Sequence, residues 1–245
     1  MPKISTIDAK GLHYRQLNNL IKEAVDKDAS SLNLINVNGQ RYIGTGIGKK
    51  VKIKVKGTAG ADLGAFMDGP EITVYGNAQD AVGNTMNSGV IVVHGHATDV
   101  CCISARNGEV YIKTNVGYRA GIHMKEYQNT KPVLVIGGNA YDFLGEYMAG
   151  GMLVLLNLEN KHIDAGYIGT GMHGGAIFIR GKVEEHQLGK EVSIVEPGEE
   201  DYKFLKRYIT NFSRRFDKNA DKILKSNFIK LLPLSHRPYG KLYTY

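Results

Sequence analysis

The chain has 245 residues, a formal net charge of +7 and 42% hydrophobic residues, enough length to bury a core within one extended domain carrying appendages. No apolar run approaches the roughly 18 residues of a membrane span. Residues 1–5 lead into no apolar signal core, so neither a membrane protein nor an exported one is expected. The two cysteines, Cys101 and Cys102, are adjacent, and neighbours rarely pair, so the pattern reads as reduced thiols in the cytoplasm.

Residues 13–27 read as an amphipathic helix, with Leu17, Leu20, Ile21, Ala24 and Val25 at the helical spacing. Residues 31–37 alternate weakly. Asn38-Gly39 is a hairpin turn signal, and residues 41–43 would be the return strand. Residues 1–43 are therefore expected to form a small α/β cap over whatever follows, because an uncovered β edge recruits other chains. Next comes Gly44-Thr45-Gly46-Ile47-Gly48-Lys49-Lys50. It lacks the Walker spacing and a following helix, and a strand follows where a dinucleotide fingerprint needs a helix, so it reads as a first corner.

From residue 51 to 181 the chain repeats in frames of 19. Frames close on Lys56-Gly57, Tyr75-Gly76, His94-Gly95 and Lys113-Thr114. After a five-residue insertion they close on Gly137-Gly138 and Leu156-Asn157, and after another on Arg180-Gly181. One position holds Val55, Val74, Val93, Ile112, Ile136, Leu155 and Ile179. Two residues earlier stand Ile53, Ile72, Ile91, Val110, Leu134, Leu153 and Ile177. A spacing of two places both sets on one strand face, and the opposite face is mixed, from Lys54 and Thr73 to Tyr111 and Phe178. Glycine recurs at Gly64, Gly83, Gly121, Gly145 and Gly169, and methionine follows three residues later at Met67, Met86, Met124, Met148 and Met172. The frame with Cys102 and Ala105 breaks this rule. A third column holds Gly89, Gly108, Gly151 and Gly175, with Pro70 and Pro132 replacing glycine in two frames.

One geometry satisfies all of this: an all-β solenoid, a right-handed parallel β-helix of about seven coils over residues 44–181. Its expected structural glycine corners are Gly57, Gly64, Gly76, Gly83, Gly95, Gly121, Gly145, Gly169 and Gly181. The methionine row reads as interior gap-filling.

Residues 182–245 read as a helical C-terminal arm. Glu199 to Phe216 carries Tyr202, Leu205, Tyr208, Ile209, Phe212 and Phe216 on one side, and residues 218–232 suggest a second helix ended by Pro233. Both would cap the last coil, with Ile223 and Ile229 also inward. From Lys203 onward there are eleven Lys and Arg against two Asp, a net of +9, so the basic excess lies wholly in the arm. That charge, with the extended tail after Pro233, suggests docking on an acidic partner; the alternative is a tail packed on its own solenoid.

His94-Gly95-His96 has two imidazoles on one face but no third ligand at a recognisable spacing. Cys101 aligns with Leu63, Val82, Leu144 and Ile168, so a buried structural thiol is expected rather than a redox centre. No nucleophile, paired carboxylate or metal set stands out. Catalytic, cofactor and metal residues are all read as none.

Gly57-Thr58-Ala59-Gly60-Ala61-Asp62-Leu63-Gly64-Ala65-Phe66-Met67 and the segments from Gly117 to Met124, from Gly145 to Gly151 and from Ile168 to Gly175 resemble the GXGXG domain of glutamate synthase. The similarity covers about residues 40–185. A free-standing copy ending Ser235-His236-Arg237-Pro238-Tyr239-Gly240-Lys241-Leu242-Tyr243-Thr244-Tyr245 is similar to the stand-alone subunit of the archaeal-type enzyme. The resemblance implies a structural oxidoreductase subunit in glutamate biosynthesis and ammonia assimilation, part of nitrogen metabolism. It would brace amidotransferase and FMN-synthase subunits, with FMN and iron–sulfur clusters held by those partners and no cofactor in this chain. Related β-helix subunits of formylmethanofuran dehydrogenase or N-methylglutamate synthase type stay open, as do self-association and a free-standing binding module using the basic arm. A nucleic-acid role is disfavoured, because the arm carries no RNP, KH or helix-turn-helix signature.

Overall fold

The two aliphatic columns of the repeat are the inner face of a parallel β-helix. The computed structural model describes residues 3–159 and 162–236. Seven strands carry the repeat: β3 (Lys52–Thr58), β4 (Asp68–Tyr75), β5 (Ser88–Val93), β6 (Glu109–Ile112), β7 (Val133–Ile136), β8 (Ala149–Leu155) and β9 (Gly174–Arg180). Each pairs in parallel with the next, so Ile53, Ile72, Ile91, Val110, Leu134, Leu153 and Ile177 lie in one register row. No residue of either inner column is more than 2% exposed.

The corners explain why glycine and methionine recur together. Gly83 has φ +69, in the left-handed region that costs other L residues about 1–2 kcal/mol. Cys102 occupies the same column with φ +62 and is still buried, so the irregular frame keeps the corner. Gly64, Gly121, Gly145 and Gly169 share the conformation. Methionine then fills the space under the next coil. A Cβ on Gly89 would stand 2.8 Å from Met67 Cε, and one on Gly175 would stand 2.6 Å from Met148 Cε. Gly57, near the end of β3, and Gly181, just after β9, have φ +123 and +110. Gly76 lies against the carbonyl of Gly57, and Gly95 against the Asn77 side chain, so a Cβ at either would overlap the preceding coil. Side-chain ladders add further links between coils: Asp99 N donates to Asp80 Oδ1 (3.1 Å), Tyr118 N to Asp99 Oδ1 (2.9 Å) and Gly166 N to Asp142 Oδ1 (2.7 Å).

The N-terminal segment departs from expectation. Strand β1 (Ile4–Asp8), helix α1 (Tyr14–Asp26) and strand β2 (Ser31–Asn38) form a β-α-β unit in which β2 pairs in parallel with both β1 and β3. The hairpin at Asn38-Gly39 and a return strand at 41–43 do not form. Leu32 and Leu34 sit in register with Ile53 and Val55, and extending the buried aliphatic ladder by one rung outweighs the local turn propensity. The parallel ladder therefore begins before residue 44. Helix α1 stands where a corner would be and closes the interior with Leu17, Ile21 and Val25, while Leu20 is exposed. Buried Gln40 ties this cap down, its Nε2 donating to Ala9 O and Leu12 O.

The C-terminal arm differs more. Helix α2 (Glu199–Phe216) matches the expected span, but the second helix is only α3 (Ala220–Leu224). The remainder, expected to be helical, is strand β11 (Phe228–Pro233), which pairs antiparallel with β9 and with β10 (Val192–Val195). The open edge of β9 supplies hydrogen-bond partners that outcompete a helix for Phe228, Ile229, Leu231 and Leu232. The order of the 11-stranded sheet is β1-β2-β3-β4-β5-β6-β7-β8-β9-β11-β10. A short edge strand thus ends the sheet on each side.

Helix α2 does not sit over the last coil. It lies along the outer sheet face, where Leu205, Tyr208, Ile209, Phe212 and Phe216 form a second core with Val92, Tyr111, Val135, Val154 and Phe178, and Tyr202 points to solvent. The mixed outer face expected throughout therefore holds only for the early coils. The end of the solenoid is closed by Val183, Leu188, Val192 and Leu231, with buried Gln187 donating to Ile163 O and Ala165 O. Among the described residues no helix is long and apolar enough to cross a membrane. Residues 237–245, and with them most of the tail thought to dock or fold back, lie outside the described residues.

Candidate docking surfaces

Both thiols and His94 are committed to packing. Cys101 and Cys102 are free thiols in the interior. Burial, and then the hydrogen bond with Cys101, push the Cys102 thiol well above the usual range, the opposite of an activated nucleophile. His94, just after β5, stacks on Tyr75 at 4.9 Å and meets Phe216 edge-on at 5.2 Å. Partial burial, reinforced by Lys113, holds its pKa below the ordinary histidine value. His96 is exposed, and among the described residues no three His, Cys, Asp or Glu side chains gather as a metal site.

The arm is clamped by a polar network on the same outer face. Tyr111 O–H donates to Glu109 Oε2 (2.6 Å), and Asn211 Nδ2 donates to the tyrosine oxygen (3.4 Å). Burial first, then Glu109, push the Tyr111 phenol far above its usual range, so it stays protonated. Arg215 lies 4.9 Å over the Tyr111 ring and 3.5 Å from Glu71, and Arg207 lies 3.8 Å from Glu109. Lys230 meets both oxygens of Asp201 at 2.8 and 2.9 Å in a largely buried pair. Four cations of the arm are thus spent on the chain's own carboxylates, since Lys203 also pairs with Glu200 (2.5 Å) at the surface. Lys203, Lys206, Arg214 and Lys218 face solvent.

The most distinctive exposed surface lies on the corners of the later coils. Two residues before the glycine column stand Arg119, Phe143 and Tyr167, each with positive φ, which turns successive side chains outward in one row. Phe143 and Tyr167 stack at 5.0 Å with an interplanar angle of 10°. Arg119 covers Phe143 at 4.7 Å and reaches Glu146 at 2.8 Å, a carboxylate only 7% exposed, so the guanidinium is fixed in place by a buried partner. Beside this row Tyr118 stacks on Tyr141 (5.2 Å), and His123 on Tyr147 (5.4 Å). Tyr118, Tyr141 and Tyr167 are 47–59% exposed. The equivalent positions in the earlier coils are Asp62, Ala81 and Val100, with Asp80 and Asp99 beside them. Pre-stacked tyrosines around an ordered arginine are the composition of interface hot spots, since little side-chain entropy is left to lose. The period already held part of this signal: after Tyr42 at the first corner, this position runs Asp62, Ala81 and Val100 and then Arg119, Phe143 and Tyr167.

An uncharacterized protein of Methanocaldococcus jannaschii is 50% identical over 249 residues, an alignment spanning 97% of this chain and 95% of that protein. The GXGXG motif family matches residues 27–234, which takes in β2, every coil and the arm as far as β11. The chain therefore belongs to the GXGXG motif family.

Proposed function

We propose that this chain is a non-catalytic scaffold subunit of a glutamate synthase-type complex, bracing amidotransferase and FMN-synthase subunits in cytoplasmic ammonia assimilation. The observation that carries the reading is the ordered aromatic and arginine row on the later corners, a preformed contact surface on a rigid rod. Family membership supports the same reading, as does the burial of both thiols. In this reading FMN and iron–sulfur clusters reside in the partner subunits, and the chain contributes shape and contact area.

The test is reconstitution. The full chain is mixed with FMN-synthase and amidotransferase subunits from the same source, and binding is measured by calorimetry. Replacing Tyr118 and Tyr167 together by Ala should weaken binding by at least about tenfold, since hot-spot truncations cost about 2 kcal/mol or more. The thermal midpoint should hold, because both rings are already exposed. Unchanged affinity in the double variant, or no binding by the parent chain to either subunit, would overturn the reading.

A further inference from the structure

The first corner of the solenoid has no coil before it. In the later corners two backbone N–H groups point back onto the preceding coil. Gly64 N donates to Ile43 O and Asp68 N to Ile47 O; Gly83 N to Leu63 O and Asn87 N to Met67 O; Gly169 N to Leu144 O and His173 N to Met148 O. The matching groups of the first corner are Gly44 N and Gly48 N. Tyr42 N and Gly46 N donate forward, to Ala61 O and Ala65 O, as their counterparts do. Among the described residues Gly44 N and Gly48 N have no acceptor. Both glycines line the space between this loop and α1.

A helix fills that place incompletely. Between α1 and the glycine-rich loop lies a cavity of about 590 Å³. Its walls are apolar and aromatic, formed by Tyr14, Ile21, Val25, Tyr42 and Ile47, and its charged lining is Arg15, Lys22 and Lys49 against Asp26. Lys49 is held by Val25 O and Asp28, whereas Lys22 has no partner among the described residues. Unpaired backbone N–H groups in a concavity beside lysine and arginine form an anion site, and a net positive lining favours a dianion. The apolar walls suit an attached organic group.

We propose that this cleft binds a small organic phosphate, its phosphoryl oxygens on Gly44 N–H and Gly48 N–H, its charge met by Lys22 and Arg15, and its organic part against Tyr14, Tyr42 and Ile47. The missing Walker spacing is no obstacle, because the donors arise from the solenoid's unpaired start and not from a loop-to-helix junction. The cleft lies at the opposite end of the rod from the aromatic row, so it stands or falls apart from subunit docking.

The experiment titrates the full chain with inorganic phosphate and with phenyl phosphate at constant ionic strength, following the backbone amides of Gly44, Gly46 and Gly48 by NMR, with chloride as the control. Saturable shifts at Gly44 and Gly48 are expected, with phenyl phosphate binding more tightly. Lys22→Gln, on an exposed helix position, should weaken both probes by roughly tenfold or about 1.4 kcal/mol. Gly48→Pro, which lacks the N–H, should lose binding. Shifts that do not saturate, that chloride reproduces, or that persist unchanged in both Lys22→Gln and Gly48→Pro would overturn the proposal.

Discussion

The outer face of the sheet is two different surfaces on one ladder. On β3 it presents Lys52, Lys54 and Lys56, all exposed. On β7 and β8 it presents Val133, Val135 and Val154, all buried under α2. The inner columns are the same in both regions. The solenoid is therefore specified from inside, one rung at a time, and each stretch of its outer face is free to be solvated or to recruit another element. The covering helix selects the later coils because those strands are apolar on both faces, the pattern of a parallel strand buried twice.

Charge on the two surfaces sharpens that contrast most. Val154→Asp should destabilise by several kcal/mol, because it places an unpaired carboxylate between sheet and helix. Thr73→Asp, the same column on an early coil, should stay within about 1 kcal/mol. Denaturant titration of both variants decides it, and equal losses would break the distinction between covered and open coils. The fit of α2 gives a smaller, opposite effect. Ser213 Oγ is buried in the helix interface without a hydrogen-bond partner among the described residues. Ser213→Ala should therefore be neutral or stabilise by about 1 kcal/mol, read as a raised thermal midpoint; a loss of that size would mean the hydroxyl is satisfied.

The smallest effect belongs to the border between the two regions. His94 touches exposed Tyr75 on one side and Phe216 of the covering helix on the other. Its folded pKa lies below the ordinary value of 6.5, so the unfolded chain takes up the proton first. Stability from this group is complete above about pH 6.5 and is lost as pH falls through the lower folded value. The slope should be slight, given solvent screening, and should flatten in His94→Asn. An unchanged pH profile in that variant would show that helix and sheet do not meet through this ring.

Much of the fold was legible because the repeat is a local, periodic signal. Ile72, Val74, Ile91 and Val93 announce their side of the strand by spacing alone, and Met67 and Gly89 announce a corner. Covering of the outer face was also written in the chain, in the unbroken aliphatic runs at 133–136 and 153–156, which no half-solvated strand requires. The candidate docking row was partly legible too. Arg119, Phe143 and Tyr167 share a frame position, but two five-residue insertions separate them from the regular spacing, so their adjacency emerges only when the coils are stacked.

By itself the sequence determined the period, the inner ladder, the glycine corners and the span of α2, since each depends on residues a few positions apart. Only the tertiary structure decided that β2 is a rung and not half of a hairpin, that 228–233 is a strand, and that α2 lies along the rod. In each case a distant edge or face offered hydrogen bonds or burial that local propensity could not match. The unpaired N–H groups of Gly44 and Gly48 belong to the same class. They exist because a helix stands where a coil would otherwise have accepted them.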